Sequence, residues 1–228
     1  MFNSKYSNFL TIVLIVAIIF IIVLVSVLGV NAYKRYKNDK DAENAISRFE
    51  NTIENNTNTE TNTNTSGEGL VEQNIVINNN NVNTNTSTEG TREVTYYKNY
   101  VMIGYISIPK INIKYPILEK ETVSSLEQSV AVRYPDNPKL NEPGNVVIAG
   151  HNYRNGQFFS NLENVSTGDK IIIKDASGRT LTYTVYEKYE TTPEDVAYIT
   201  RNVGENIEIT LVTCTDDSNA RIIVKARV

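Results

Sequence analysis

The stretch that decides the fold is residues 210–221, which read TLVTCTDDSNAR. Apolar and β-branched residues alternate before Cys214 in the pattern of a β-strand, and a second such run begins at Arg221. The polar residues 215–219 between the two runs are typical of a turn. In an antiparallel pair, Cys214 would end one strand and Arg221 would begin the next, with opposite side chains about 5 Å apart if the register allows. Arg227 lies further along and would be roughly 20 Å away at ~3.3 Å per residue.

Composition limits what this cysteine can do. The chain has 228 residues, a net charge of −4, one cysteine and one histidine. A single cysteine excludes an intramolecular disulfide, and the lack of a Cys or His pair at metal-ligand spacing argues against structural zinc. The weak acidity gives no reason to expect nucleic acid as a partner. A lone cysteine at a strand end is most often an inert small hydrophobe, so its chemistry has to be argued from other parts of the chain.

The chain divides by composition into a short N-terminal tail at 1–8, an apolar run at 9–30, a polar segment at 31–95 and a mixed segment at 96–228. The apolar run is uncharged and exceeds the roughly 20 residues that a helix needs to cross a bilayer, which predicts a retained single-span anchor. The polar segment begins as a charged, helical stalk to about Ile53. It continues as an Asn/Thr-rich flexible tether that cannot bury enough apolar area to become ordered. Only the last segment has the pattern of a packed domain.

Alternating apolar runs in this last segment predict about eight strands with only short helices between them. We therefore expect a mainly β fold, a closed or nearly closed barrel of mostly antiparallel strands. Ser124 and Glu127 have the spacing of a capping box and predict a short helix near 122–130. Residues 133–144 contain three prolines and are expected to form a loop. The clearest strands are expected at 101–108, 111–118, 145–149, 169–174, 180–189, 206–212 and 220–227.

His151 follows the predicted strand 145–149 directly after a glycine. Cysteine reacts as the thiolate, and a nearby imidazole can pair with that form or protonate a leaving amine. An arginine keeps its proton and can donate hydrogen bonds to a developing oxyanion. A lone histidine after a strand is more often an ordinary loop residue, but its occurrence together with Cys214 and Arg221 favours nucleophilic acyl transfer.

The same residues resemble a known family. TLVTC at 210–214 resembles the TLxTC signature of the sortases, the membrane-anchored cysteine transpeptidases of Gram-positive bacteria. Arg221 lies where the family's arginine begins the last strand, and AGH at 149–151 is similar to the segment around its histidine. GYISIPKI at 104–111 looks like the family's first strands. The resemblance implies a closed eight-stranded sortase-type barrel, preceded by one transmembrane helix and a disordered linker.

The resemblance also implies a mechanism. Cys214 would attack the threonine carbonyl of an LPxTG-like sorting signal and form a thioacyl intermediate. His151 would act as general acid and then as base. Arg221 would hold the substrate backbone or the oxyanion, with support from Thr213 and from Thr215 and its amide. The acyl group would pass to an amine of the cell wall or of a pilin. Two other interpretations stay open: a purely hydrolytic membrane-anchored cysteine protease, and a non-enzymatic tethered surface-binding module.

The charges around the anchor do not agree with this interpretation. More lysines and arginines follow residues 9–30 than precede them, which favours the following side in the cytoplasm. Because sorting substrates and amine acceptors lie outside the cell, we follow the resemblance. We expect a single-pass cell-membrane protein whose catalytic domain is extracellular.

Several further residues are candidates for supporting roles. Asp216 and Asp217 follow the cysteine directly, and either orient His151 or Arg221 or serve only as turn residues; Asn152 is another orienting candidate. The sequence fits a class A, D or E sortase best, and no cofactor is expected, with calcium as the one alternative. Some class A enzymes bind calcium with acidic loops, and the acids in comparable loops here are Asp136, Glu142, Glu190, Glu194 and Asp195.

Overall fold

The computed structural model describes residues 4–61 and 94–228. Helix α1 covers Ser4–Thr61 and helix α2 covers Val123–Leu126, and 3₁₀ turns lie at Pro109–Ile111 and Leu162–Asn164. The strands are β1 Tyr96–Tyr97, β2 Tyr100–Ile108, β3 Ile113–Leu118, β4 Val130–Tyr134, β5 Gly144–Ala149, β6 Lys170–Asp175, β7 Thr180–Thr191, β8 Ile207–Cys214 and β9 Arg221–Arg227.

Eight of these strands close into a barrel. The order is β2-β3-β4-β5-β8-β9-β7-β6, and β6 pairs back onto β2. The pairs β3–β4 and β5–β8 are parallel, and the other pairs around the barrel are antiparallel. β1 adds only a two-residue hairpin on β2. The prediction of a closed, mostly antiparallel eight-stranded barrel is therefore confirmed.

β4 is the strand that the sequence analysis did not predict. Its first residues, Val130, Ala131 and Val132, are buried and pair with β3 on one side and β5 on the other. A short continuous apolar run of this kind has neither helical nor strand periodicity. The helix predicted over 122–130 is thus too long, because α2 ends at Leu126. The loop predicted over 133–144 begins only after Tyr134, the last residue of β4.

The helix α2 also begins differently from the prediction. Its capping box uses Thr122 and Ser125, not Ser124 and Glu127. The Ser125 amide donates to Thr122 Oγ1 at 2.9 Å, and the Thr122 amide donates to Ser125 Oγ at 2.7 Å. Ser125 is fully buried, whereas Thr122 is exposed and Val123 is 82% exposed, so only the Ser125 side chain of the cap faces inward. The prediction failed because two overlapping capping patterns occur in this short segment.

The chain forms two compact units, Met1–Asn44 and Ala45–Val228. In the first unit, the helix that contains residues 9–30 is long and apolar enough to cross a membrane by length and composition. Its large apolar side chains, such as Phe20 and Leu24, are exposed. This agrees with the predicted anchor. The predicted tail at 1–8 is partly helical, because α1 begins at Ser4.

In the second unit, the end of α1 belongs to the barrel's packing. Ala45, Ile46 and Phe49 are buried, with Ile53 partly buried beside them. This spacing places their side chains on one face of a helix. They share a cluster with residues of the barrel and of β1: Tyr97, Met102, Tyr105, Leu118 and Ala131. The second half of the predicted stalk is therefore packed against the domain.

Two contacts with Tyr105 show how closely the helix is attached. The Phe49 and Tyr105 rings meet edge to face, with centroids 6.4 Å apart. The Tyr105 hydroxyl donates to Glu50 Oε1 at 2.9 Å, and burial together with this carboxylate raises the pKa of Tyr105 to about 12. The helix continues to Thr61, inside the predicted linker. The rest of that linker, residues 62–93, lies outside the described residues.

Replacing Phe49 should destabilise the barrel unit. Phe49→Ala removes a buried aromatic ring, and we expect the free energy of unfolding to fall by about 3 kcal/mol. The matched control is Asn51→Ala in the same turn of helix, because this exposed side chain should change stability by no more than about 0.5 kcal/mol. Urea unfolding in mild detergent, followed by tyrosine fluorescence, measures both. Equal effects of the two substitutions would show that the helix does not contribute to the fold.

Candidate active site

Cys214 and Arg221 are directly opposite each other at the end of the β8–β9 ladder. Opposite residues of an antiparallel pair point to the same face of the sheet, with Cβ atoms about 4.5–5.5 Å apart. The thiol is free and partly accessible. The Arg221 guanidinium lies over the turn that joins the two strands, where Nη1 donates to the Ala220 carbonyl at 3.0 Å. The local sequence thus places a cation beside the cysteine.

The histidine reaches the same edge through the other neighbour of β8. β5 runs parallel to β8, and the last registered pair is Ala149 with Val212. His151 is two residues past Ala149, and Cys214 is two residues past Val212, so both residues lie at the same end of the β5–β8 pair. The Gly150 amide donates to the Val212 carbonyl at 3.1 Å, which extends the parallel ladder by one more bond. Strands distant in sequence therefore bring the imidazole to the thiol's edge of the barrel.

Gly150 and Thr213 hold the histidine turn against the cysteine strand. The buried Thr213 hydroxyl donates to the Gly150 carbonyl at 2.7 Å. A side chain at Gly150 would place its Cβ 2.7 Å from the Phe159 ring and 2.9 Å from Val130, which explains the glycine at this position. The structure buries the Thr213 side chain, and its predicted support of the substrate or oxyanion stays a prediction. Its hydroxyl supports the turn that carries His151.

Asn152 joins the histidine turn to the cysteine turn. Its Nδ2 donates to the Cys214 carbonyl at 3.0 Å and to Asp216 Oδ1 at 2.9 Å. Its Oδ1 accepts from the Arg154 amide at 3.0 Å. Asn152 and Asp216 were both candidates for orienting roles. Their hydrogen bonds connect the histidine turn to the cysteine turn, and the acceptors of Asn152 Nδ2 are a carbonyl and a carboxylate, not the imidazole.

Thr215 and Asp217 belong to the turn itself. Asp217 accepts from the Thr215 hydroxyl at 2.6 Å and from the Asn219 amide at 3.0 Å. These hydrogen bonds hold the pKa of Asp217 below its usual value, and the bond from Thr215 has the largest effect. The Thr215 amide donates to the Ala220 carbonyl at 3.1 Å. The turn interpretation of Asp217 is thus the one that fits, and the predicted oxyanion donor at Thr215 is already engaged.

His151 lines a cavity of about 290 Å³. Its ring is half-buried and is tilted against the Tyr153 ring, with centroids 4.9 Å apart. Burial lowers the pKa of His151 below its ordinary value, while the carboxylates of Glu127 and Glu121 act in the opposite direction. The cavity walls combine apolar side chains with charges of both signs, the charged residues being Glu119, Lys120, Glu121, Arg133 and Asp136.

The five acidic calcium candidates are spread over different parts of the structure. Asp136 lines the cavity beside His151. Glu142 lies 3.7 Å from the Lys139 ammonium and 3.9 Å from the Arg179 guanidinium. Among the residues that the structure describes, no three His, Cys, Asp or Glu side chains are grouped to hold a metal ion. Calcium dependence stays a prediction. The remaining candidates lie on or after β7: Glu190, Glu194 and Asp195.

Comparison with known proteins decides the family. Residues 106–228, just over half of the chain, match the family model described as the sortase domain. The chain belongs to the sortase family. The matched range contains His151, Cys214 and Arg221 and begins inside β2. The predicted sortase-type barrel is therefore confirmed.

Individual sortases are similar over the same part of the chain. Sortase A of Bacillus anthracis is 34% identical over 126 residues, which are 54% of this chain and 58% of that protein. The chain spans little more than half the length of the curated relatives it matches. Among solved structures, a Clostridium perfringens sortase D5 transpeptidase has a TM-score of 0.50 and 32% identity, over 55% of this chain and 78% of that one.

A second solved structure is that of Clostridium perfringens sortase C with the C-terminal cell wall sorting motif. It has a TM-score of 0.50 and 25% identity, over 55% of this chain and 69% of that one. The likeness reaches sortases named A, C and D, so it does not distinguish the classes A, D and E that the sequence analysis favoured.

Sequence reasoning missed two residues of this sortase that shape the site, Tyr153 and Arg133. Tyr153 had a local signal, because an aromatic residue two positions after the histidine can fold back on the ring. Arg133 had only a weak one, a charged residue that directly follows the apolar run of β4. Its partners lie in two other loops, and no pattern along the chain connects them.

The half-buried imidazole gives a direct test of the site's electrostatics. His151 is the only histidine, so its Cε1–H resonance reports this ring alone, and we expect a pKa below the ordinary 6.5. The unfolded chain would take up the proton at about pH 6.5, a higher pH than the folded chain. The stabilising contribution of neutral His151 is therefore complete above that pH and declines as the pH falls below it. NMR titration of the native and the urea-unfolded protein measures both values, and a higher value in the native state would contradict the expectation.

Proposed function

We propose that this sortase is a membrane-anchored cysteine transpeptidase that acts on LPxTG-like sorting signals. The observation that supports this proposal most is that the ends of β5 and β8 and the start of β9 meet. Cys214 lies opposite Arg221, and Asn152 hydrogen-bonds the His151 turn to the Cys214 carbonyl. Family membership supports the same conclusion. So do the Clostridium perfringens neighbours, one named a transpeptidase and one described with a cell wall sorting motif.

In the first half-reaction, Cys214 acts as the nucleophile. Its thiolate sulfur forms a bond to the carbonyl carbon of the threonine in the sorting signal, and the carbonyl oxygen becomes an oxyanion. When this tetrahedral species collapses, the bond between the threonine carbon and the next residue's nitrogen breaks. Protonated His151 gives its proton to the departing amine. The product is a thioester on Cys214, and the imidazole is left neutral.

In the second half-reaction, an amine replaces the sulfur. Neutral His151 takes a proton from the incoming amine as its nitrogen bonds to the thioester carbon. The carbon–sulfur bond then breaks, and the thiolate of Cys214 is regenerated together with a protonated imidazole. The acyl group ends in an amide bond to the acceptor, which is an amine of the cell wall or of a pilin. If water attacked instead, the product would be a free carboxylate and the enzyme would be a hydrolase.

Arg221 supplies hydrogen bonds to the substrate in both halves. Its Nη1 donates to the Ser218 and Ala220 carbonyls at 3.4 and 3.0 Å, which holds the side chain over the turn. A guanidinium has five N–H donors and keeps its charge at any relevant pH. Donors therefore remain for the carbonyl oxygen or the peptide backbone near Cys214. A fixed cation at this place stabilises the oxyanion as it develops.

The proposed location follows from the anchor and from the reaction. Residues 9–30 would span the cell membrane once, and the catalytic domain at 96–228 would lie outside the cell, where sorting signals and amine acceptors are found. The apolar helix supports the anchor. The basic residues that follow it favour the opposite orientation, so a reporter for each side of the membrane is needed to establish the topology.

A transfer assay tests the proposed activity. The full chain in detergent is incubated with an LPxTG-like peptide, with and without triglycine as the amine. We expect a thioacyl adduct on Cys214 by mass spectrometry, and a peptide–triglycine product that grows at the expense of hydrolysis. Cys214→Ala should give neither. Hydrolysis that no amine can divert would identify a protease, and normal processing by Cys214→Ala would exclude the mechanism.

A second prediction separates Arg221 from the other arginine of β9. Arg221→Ala should lower kcat/KM for peptide cleavage by about 10²–10³-fold, because an oxyanion donor is lost. The control is Arg227→Ala at the far end of the strand, where the guanidinium stacks on the Tyr186 ring at 5.0 Å. It should leave cleavage unchanged. A similar loss for both variants would argue that strand stability and not oxyanion binding is affected.

A further inference from the structure

Arg133 connects two segments that lie apart in sequence. Its Nε and Nη2 donate to the two carboxylate oxygens of Glu121 at 2.6 and 2.8 Å. Its Nη1 donates to the Tyr198 hydroxyl at 2.8 Å. Glu121 lies between β3 and α2, and Tyr198 lies in the segment 192–206 between β7 and β8. We refer to Arg133, Glu121 and Tyr198 as the Arg133 clamp.

The clamp is not an ordinary surface ion pair. The side chains of Arg133 and Glu121 are only 30% and 22% exposed, and Tyr198 is 3% exposed. A two-pronged arginine–carboxylate pair fixes direction as well as distance, because the guanidinium fork is planar and rigid. Removing one member would leave a partly buried charge without its partner, which costs more than loss of an exposed pair.

Tyr198 transmits this attachment to the strands that carry the site. Its ring is part of a buried cluster with residues of β5, β8 and β9, namely Val147, Ala149, Val212 and Ile223. Asn145 Nδ2, also on β5, donates to the Tyr198 and Ile199 carbonyls at 3.3 and 3.2 Å. The segment 192–206 is thus held on the sheet that ends at His151 and Cys214.

The clamp also borders the cavity beside the imidazole. Glu121, Arg133 and His151 line the same cavity. Glu121 is one of the two carboxylates whose field favours protonated His151, and Glu127 is the other. Other charged groups at this place are Glu119, Lys120 and Asp136 in the cavity wall, and Asp216 and Arg221 at the cysteine turn.

We propose that Arg133 is a positioning residue of this sortase: it fastens the Glu121 segment and the segment 192–206 into one wall beside His151, and it offsets the charge of Glu121 next to the imidazole. Each of its three guanidinium nitrogens donates within the clamp, so we assign it to act through its partners and not on the reacting atoms. The part of the proposal that concerns substrate rests on the proposed function. The part that concerns His151 does not.

The part of the proposal that concerns His151, which we call the charge arm, is tested without substrate, by NMR titration of the single histidine. Arg133→Gln leaves Glu121 uncompensated, so the pKa of His151 should rise above the native value. Glu121→Gln leaves the arginine uncompensated and should lower it, and the double variant should return close to the native value. Arg133→Lys keeps the charge and should also titrate near the native protein.

A matched control is available in Arg201, the arginine of the segment 192–206. Arg201 donates to Glu208 Oε2 at 2.8 Å and to the Tyr186 hydroxyl at 3.2 Å. Glu208 is at the start of β8, and His151 is level with its end. Arg201→Gln removes the same type of contact and should not change the pKa of His151. A titration curve for Arg133→Gln that coincides with those of Arg201→Gln and the native protein would overturn the charge arm.

The part of the proposal that concerns substrate, which we call the positioning arm, is tested by peptide cleavage. Tyr198→Phe removes one hydrogen bond of the clamp and no charge, so it should raise KM for the sorting peptide by about fivefold, with little change in kcat and no change in the His151 titration. Arg133→Lys should show the same rise in KM, because an ammonium cannot hold Glu121 and Tyr198 together with the same geometry. An unchanged KM in both variants would overturn the positioning arm.

Failures of the two proposals can be told apart. If the transfer assay fails for the native protein, the titrations still decide the charge arm. Thermal unfolding of each variant identifies any that does not fold, and Tyr198→Phe and Glu121→Gln keep the test valid if Arg133→Gln is one of these.

Discussion

The pairing of β8 with two different neighbours is the constraint on which the site depends. β8 runs antiparallel to β9 and parallel to β5, so its C-terminal end meets the start of one strand and the end of the other. The interior residues of β8 are all buried, and hydrogen-bonded pairing with β5 on one side and β9 on the other sets its register. That register places Cys214 opposite Arg221 and at the same end of the barrel as His151.

The parts of the site differ in how far the sequence predicts them. The pairing of Cys214 with Arg221 follows from a short turn between two strands and needs no other part of the chain. The approach of His151 depends on a parallel pairing across more than 50 residues, which no local pattern contains. The joint occurrence of His151, Cys214 and Arg221 and the resemblance to a family suggested it, but neither gives the pairing. The Arg133 clamp is harder still, because Glu121, Arg133 and Tyr198 come from three separate segments.

Side-chain direction determines what the candidates near the cysteine contact. Thr213 and Asp217 lie close to Cys214 in sequence, yet the Thr213 hydroxyl is buried against Gly150 and the Asp217 carboxylate accepts a hydrogen bond within the turn. Asn152, in contrast, bridges to the Cys214 carbonyl across the two segments. Neighbours in sequence point to alternate faces of a strand, so proximity to a nucleophile along the chain says little about contact with it. Sequence pattern was also insufficient for β4, because its run of consecutive buried residues has no alternation that would identify a strand.

The end of α1 changes how the predicted linker has to be understood. The stalk prediction followed the charges of residues 34–53, but the apolar stripe Ala45, Ile46, Phe49 and Ile53 was present in the same segment and determines the packing. The end of α1 and the residues from Val94 onward therefore belong to one compact unit, and the chain between Thr61 and Val94 joins them. Closing such a connection has an entropic cost that grows only with the logarithm of its length. A long Asn/Thr-rich segment is consequently tolerated there, provided that burial of the stripe, above all of Phe49, exceeds that cost.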